Sequence, residues 1–467
     1  MTGRIMRTEV RRSAVPGLAA LLLVVCAGLT LTSIEFFSGR WTQLVMYGRG
    51  SLILLVPLAL AGGAWLGRRD RRHRVGELFA TTVRPRWQRT FPLAAGYAGA
   101  LVAVYLLVLL IGAVWVIPTA GYFPVAVLGI TAVGVLAVVA AGWLGMAAGR
   151  AVPRIVTAPV LAVVGFAVLA LLPDFVSMAG FDENFVKMRP DPAALLLNPA
   201  AVNGLDDFQT IPGSVTLLQA GWLVALAGTG LLLIGAVRRS VLALAVLPAV
   251  LGAAVAVPLL PTGGYTGAAI VDPTAVELVC DDNGPQVCVR KVHAALLPDL
   301  VEPAREALAV MAAKLPDAPV RAVQSARLAD WADPDQTPAR HDADTLTFTT
   351  PSIDRSGRAD LSDGYFEAEL LRSPWSQECR PSGGNSYQVF ESAPYLAQAV
   401  AAAWLVDEPP TPESWWSADD RQLTETAYQT LIALPVDQQQ QVAGQARAAA
   451  LDCDFDRFEE IMMAGVR

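Results

Sequence analysis

The feature that most constrains this chain is a succession of long apolar runs separated by short segments rich in arginine. About 20 apolar residues wound as a helix span about 30 Å, the thickness of a bilayer's hydrocarbon core. Runs of that order lie near 14–33, 50–66, 91–117, 123–148, 155–172, 214–237 and 241–260. Hydrocarbon offers no water to satisfy backbone groups, so a spanning segment must be a helix or part of a closed barrel. The expected fold is a polytopic α-helical membrane bundle of about seven transmembrane helices over residues 1–260. A mixed α+β extracytoplasmic domain is expected over residues 261–467. The chain is 54% hydrophobic and only 16% charged, against roughly 25% charged in soluble proteins. That deficit follows if about half of the chain lies in lipid.

The arginines give the runs an orientation. Cytoplasmic loops retain Arg and Lys. With the N-terminus inside, Arg4, Arg7, Arg11 and Arg12 are cytoplasmic, as are Arg68, Arg69, Arg71, Arg72, Arg74, Arg84, Arg86 and Arg89. Arg150, Arg154, Arg238 and Arg239 fall on the same side. The opposite loops hold only Arg40, Arg49, Lys187 and Arg189, among Glu35, Asp174, Asp182, Glu183, Asp191, Asp206 and Asp207. The first run is too long for a signal peptide and lacks a small-residue cleavage site. Seven spans then place the C-terminal domain outside a multi-pass plasma-membrane protein. Apolar cores nearly free of ionisable groups argue against proton- or ion-coupled carriage. The loop 173–213, with a short helix near 193–197, is expected to cap the bundle.

Cysteine placement points to the same side. Cys26 lies in the first apolar run, whereas Cys280, Cys288, Cys379 and Cys453 all lie in the C-terminal region. Four cysteines in one polar domain fit two disulfides in an oxidising compartment. Three pairings are open, of which Cys280–Cys288 with Cys379–Cys453 is preferred. Asn283-Gly284 between Val276–Asp281 and Val287–Arg290 is a hairpin signal, with Cys280 and Cys288 flanking the turn. Helices are expected over 298–314, 392–405, 418–434 and 438–451, and short strands over 320–323 and 345–349.

No catalytic constellation emerges. HExxH, GxSxG and paired histidines at helical spacing are all missing from the sequence. His293 and His341 read as packed or solvated residues, Asp281 and Asp282 as turn residues, and Trp415 and Trp416 as packing residues. The expectation is a protein without catalytic, metal or cofactor residues of its own. The N-terminal half keeps its arginines in short interhelical loops while Asp and Glu crowd the region after Pro261, so no basic surface of a soluble domain is expected for nucleic acid.

The first part of the chain resembles the ABC-2 class of ABC transporter membrane subunits, particularly the actinobacterial kind. The resemblance rests on Met6-Arg7-Thr8-Glu9-Val10-Arg11-Arg12 leading into the first span, and on the basic loop between spans two and three. That loop contains Arg72-His73-Arg74-Val75-Gly76-Glu77-Leu78-Phe79 and ends Arg84-Pro85-Arg86-Trp87. In that family the corresponding element contacts the ATPase. The resemblance therefore implies a coupling loop carrying Arg72, Arg74, Gly76, Glu77, Leu78, Arg84, Arg86 and Trp87. It also implies a homo- or heterodimer of membrane subunits and a separately encoded ATPase that binds the ATP. The latter agrees with the lack of a GxxxxGK[ST] phosphate loop in this sequence. The seventh span and large external domain exceed the family's usual six-span plan. Around Val287-Cys288-Val289 the external region is similar to the C-terminal part of actinobacterial permease-like proteins. The alternative is a membrane-anchored sensory or assembly protein whose external domain binds a ligand or protein. An external hydrolase would need a nucleophile and base that no motif provides.

Overall fold

The computed structural model describes residues 13–69, 86–181, 189–200, 205–236, 239–263, 267–326, 342–375 and 395–464. They form two compact units, Met1–Ala275 and Val276–Arg467. Among the described residues of the first unit, six helices are long and apolar enough to cross a membrane. They are α1 (Val15–Thr32), α4 (Arg86–Val116), α5 (Ala126–Ala151), α6 (Thr157–Met178), α7 (Gly213–Gly235) and α8 (Arg239–Leu259). A seventh arises if α2 (Trp41–Gly50) and α3 (Leu52–Gly67), which meet at a 43° bend, count as one span. The most apolar windows of α6 and α8 are each only 11% buried within the protein. Leu110, Val114, Val160 and Leu244 point outward. A surface this apolar is incompatible with water and matches lipid. The protein is a multi-pass membrane protein.

The break between α2 and α3 differs from the simple span expected over 50–66. Gly48, Gly50 and Ser51 form weak helix there, and Ser51 Oγ donates to the Gly48 carbonyl at 2.6 Å. Glycine–serine pairs and such side-chain bonds to the preceding turn are recognised causes of kinks. The first half-span, α2, contains Gln43 and Arg49, which lower its hydropathy and hide it from a search for apolar runs.

Glycines fix how α3 lies on α5. A Cβ on Gly63 would meet the Gly142 carbonyl oxygen and stand 2.9 Å from Met146 N. One on Gly145 would overlap the Leu60 carbonyl, and one on Gly149 that of Ala64. Gly67 faces the Met146 carbonyl in the same way. Each helix thus offers a Gly-x-x-x-Gly step, Gly63/Gly67 and Gly145/Gly149, that lets the two backbones touch. Association in lipid has no hydrophobic drive, so this close packing is the source of attraction along the seam.

Residues just beyond α8 fold back onto the same unit. Strand β2 (Ile270–Val271) pairs antiparallel with β1 (Gln209–Thr210), and Asp272 N–H donates to the Phe208 carbonyl. Tyr122 donates its hydroxyl to Asp272 Oδ2 at 2.7 Å. Burial, and then this bond to a carboxylate, hold the Tyr122 proton more tightly than in water. Arg40 closes a neighbouring contact with Asp207 at 2.6 Å.

The second unit is built on a four-stranded mixed sheet in the order β3-β4-β5-β6. Strands β3 (Leu278–Asp281) and β4 (Val287–Arg290) form the expected hairpin, with Cys280 directly opposite Cys288. β5 (Arg321–Gln324) and β6 (Thr345–Phe348) add in parallel. The helices are α9 (Leu297–Lys314), α10 (Tyr365–Arg372), α11 (Tyr395–Val406), α12 (Ala418–Ile432), α13 (Val436–Leu451) and α14 (Phe455–Met462). Helix α9 buries Leu300, Ala304, Leu308 and Met311, a stripe at helical spacing. These join Val287, Val289, Phe348, Phe366, Trp375 and Trp404 in one core. Helix α12 begins with a capping box between Ser417 and Asp420. Helices α10 and α14 are additions to the elements expected from sequence.

Candidate functional site

The bend between α2 and α3 presents a buried cation. Arg49 is 0% exposed. Its Nε donates to the Pro199 carbonyl and its Nη2 to Gln219 Oε1, both at 2.7 Å. Gln219 on α7 in turn donates Nε2 to the Leu196 carbonyl at 2.7 Å. Leu196 closes the short 3₁₀ turn Ala193–Leu197 in the α6–α7 connection. One arginine and one glutamine therefore latch that connection onto the broken span. The 3₁₀ turn stands where a capping helix is expected, and the cap is fastened by polar bonds.

Tyr105 of α4 completes the cluster. Its ring is buried, and its hydroxyl enters the space that a side chain at Gly134 would fill and stands 3.6 Å from where a Cβ on Gly48 would lie. Among the described residues that hydroxyl has no hydrogen-bond partner. Together the site holds guanidinium and phenol donors, an amide side chain and two main-chain carbonyls, all inside the bundle. A charged residue at the centre of a spanning helix costs about 2.5–3.5 kcal/mol by insertion scales, and charged residues within spans usually mark function. Arginine does not release its proton at accessible pH, so the cluster offers a fixed charge and no proton relay.

Arg49 is the residue that sequence reading misses, because it is taken there as a loop cation outside the spans. A visible signal exists in Gly48-Arg49-Gly50, a lone arginine between two glycines with apolar helices on either side. Of the expected coupling residues, Arg72, Arg74, Gly76, Glu77, Leu78 and Arg84 lie outside the described residues, as does Cys379. Arg86 and Trp87 open helix α4. Arg68, at the other edge of the loop, stacks its guanidinium 3.9 Å from the Trp65 ring centroid.

In the second unit Cys280 and Cys288 are joined by a disulfide. Cys453 is disulfide-bonded as well, and Cys26 is a free, buried thiol. His293 is packed in the interior, where Gln324 Nε2 lies 3.0 Å from its Nδ1. Gln324 also accepts from Arg290 N–H and bonds Thr350 Oγ1. This is a structural network that ties β4 to β5. His341 lies outside the described residues. Trp416 is buried, whereas Trp415 is exposed. No protein-family model, curated protein or solved structure matches this chain.

Proposed function

We propose that this protein is the membrane-spanning subunit of an ABC-2-type export system, working with a separately encoded ATPase. The observation that carries the reading is the broken span with Arg49 buried at its bend. An anchor needs neither feature, and both are costly in lipid. Transport subunits use discontinuous helices because they place polar groups at membrane depth beside a changing path. The Arg49–Gln219 latch ties the broken span to the α6–α7 connection, which is where a gate would act.

In this reading the N-terminus and the loop 68–89 face the cytoplasm, and Val276–Arg467 faces outward, where its disulfides are stable. The loop docks the ATPase through Arg72, Arg74, Gly76, Glu77, Leu78, Arg84, Arg86 and Trp87. The external unit handles or gates the substrate, and two membrane subunits together form the pathway. The disulfide-bonded second unit equally favours a sensory or assembly role, in which the helices are only a scaffold.

Co-purification from detergent separates the two. The export reading expects a stoichiometric complex with a phosphate-loop ATPase, weakened by Glu77→Lys and by Arg72→Ala/Arg74→Ala. A complex that survives all three changes removes the loop as the docking site. Absence of any ATPase partner leaves the sensory or assembly role.

A further inference from the structure

Helix α6 is irregular in its second half. Residues Ala167–Leu171 wind as a π-helix, and the N–H of Leu172 reaches back to the Ala167 carbonyl. Such turns are rare and collect at functional places in helices. One residue further, Pro173 has no N–H to offer the Leu169 carbonyl four residues earlier. A carbonyl left bare in a span is costly, because hydrocarbon supplies no donor. Asn198 supplies one: its Nδ2 donates to the Leu169 carbonyl at 2.9 Å. The amide is aimed by its other end, where Oδ1 accepts the Ala200 N–H at 3.0 Å.

Asn198 immediately precedes Pro199, whose carbonyl accepts from Arg49 Nε at the α2–α3 bend. Proline fixes its own φ and keeps the residue before it extended, and Asn198 is extended at φ −76° and ψ 113°. One stiff dipeptide therefore holds two irregular helices, the π turn of α6 through a side chain and the bend through a backbone carbonyl. Two residues before Asn198, the Leu196 carbonyl accepts from Gln219, so α7 grips the same turn. Leu196 and Ala200, on either side, are buried, and Leu196 packs in one cluster with Val45 and Met46 of α2. The turn has no slack. Moving Asn198 off Leu169 shifts Pro199 away from a buried guanidinium.

We propose that Asn198-Pro199 is a mechanical link that makes the π turn of α6 and the α2–α3 bend loosen as one unit. Each end has a bonded and a released arrangement, which coupling requires. Release at one end alone leaves a bare carbonyl in α6 or takes an acceptor from a buried cation. Release at both ends lets α6 rewind and the bend flex together. Any motion of the α6–α7 connection therefore reaches the broken span directly. The link stands on these bonds and not on the export reading, and it would serve a sensory or assembly protein in the same way.

Hydrogen–deuterium exchange on the full chain in phosphatidylglycerol nanodiscs tests the link. Asn198→Leu keeps the volume and removes the donor to Leu169, and Gln219→Leu removes the bonds to Arg49 and Leu196. Loss of a polar bond inside a bundle is worth about three- to tenfold in local opening. Asn198→Leu should therefore speed exchange at the bend, residues 48–52, as well as in 167–172. Gln219→Leu should speed it in 167–172 as well as at the bend. Unchanged exchange along the glycine seam, residues 60–67, shows that each variant is folded, and Asn198→Ala repeats the reading where leucine is not accommodated. Once Asn198→Leu has cut the link, adding Gln219→Leu should leave 167–172 as in Asn198→Leu alone. Acceleration confined to the substituted end, a rise in every variant that includes the seam, or further acceleration of 167–172 in the double variant would overturn the proposal. The outcome does not depend on whether an ATPase partner exists.

Discussion

Adding one methyl group to the α3–α5 seam provides a sharp test of how the bundle is held. In Gly145→Ala the new Cβ would stand 2.8 Å from the Leu60 carbonyl carbon and 2.9 Å from its Cα. Both are backbone atoms, so no rotamer change can relieve the overlap and the helices must move apart. Overpacking of this kind typically costs about 1–3 kcal/mol, and separation also weakens the contacts of Gly63, Gly67 and Gly149. The same substitution at Gly99 of α4 meets nothing within 4 Å. There the helix-propensity difference should win, stabilising by up to about 1 kcal/mol. The two changes are chemically identical and are expected to have opposite signs. Thermal unfolding of purified protein, monitored by loss of the monodisperse chromatographic peak, should show a lower midpoint for Gly145→Ala and an equal or higher one for Gly99→Ala. Equal shifts in both variants would refute the close-contact seam.

Three further outcomes follow from particular contacts. Arg49→Lys keeps the charge but cannot reach the Pro199 carbonyl and Gln219 together as the guanidinium fork does. It should cost roughly 0.6–2 kcal/mol and expose the α6–α7 connection to proteolysis in detergent. Replacing Cys280 and Cys288 with Ala opens a loop whose cysteines are 8 residues apart. Chain entropy puts this at about 2.5 kcal/mol, or a fall of about 5–10 °C in the melting of the second unit by circular dichroism. Glu369→Gln should stabilise the second unit at pH 8. Burial raises the folded carboxyl above its unfolded value, so the wild-type contribution is fully present at low pH and is lost as pH rises through the folded value. The advantage of the variant should vanish on acidification. An advantage that grows at low pH would refute the burial argument.

The parts of the fold that are legible in sequence are those set by local chemistry. Long apolar runs reveal the spans because lipid demands continuous apolar length, and Asn283-Gly284 between two cysteines reveals the hairpin and its bridge. The α2–α3 break is harder to read because its polar Gln43 and Arg49 imitate a loop. Arg49 is buried by Pro199 and Gln219, partners 150 and 170 residues away, and no local pattern encodes that separation. The glycine content of α5 is visible in sequence. Which of its glycines touch α3 depends on helix rotation, which tertiary packing decides. In the second unit, α10 has only 8 residues, too short for periodicity to stand out.

The proposed topology puts residues 68–89 in the cytoplasm and residues 276–467 outside. Single cysteines placed at Ala80 and at Glu277 in a background lacking Cys26, exposed to a membrane-impermeant maleimide in intact cells, test that arrangement directly. The account predicts labelling at 277 in intact cells and at 80 only after the membrane is opened. Labelling of both positions from the same side would contradict the seven-span arrangement and the docking of an ATPase on residues 68–89.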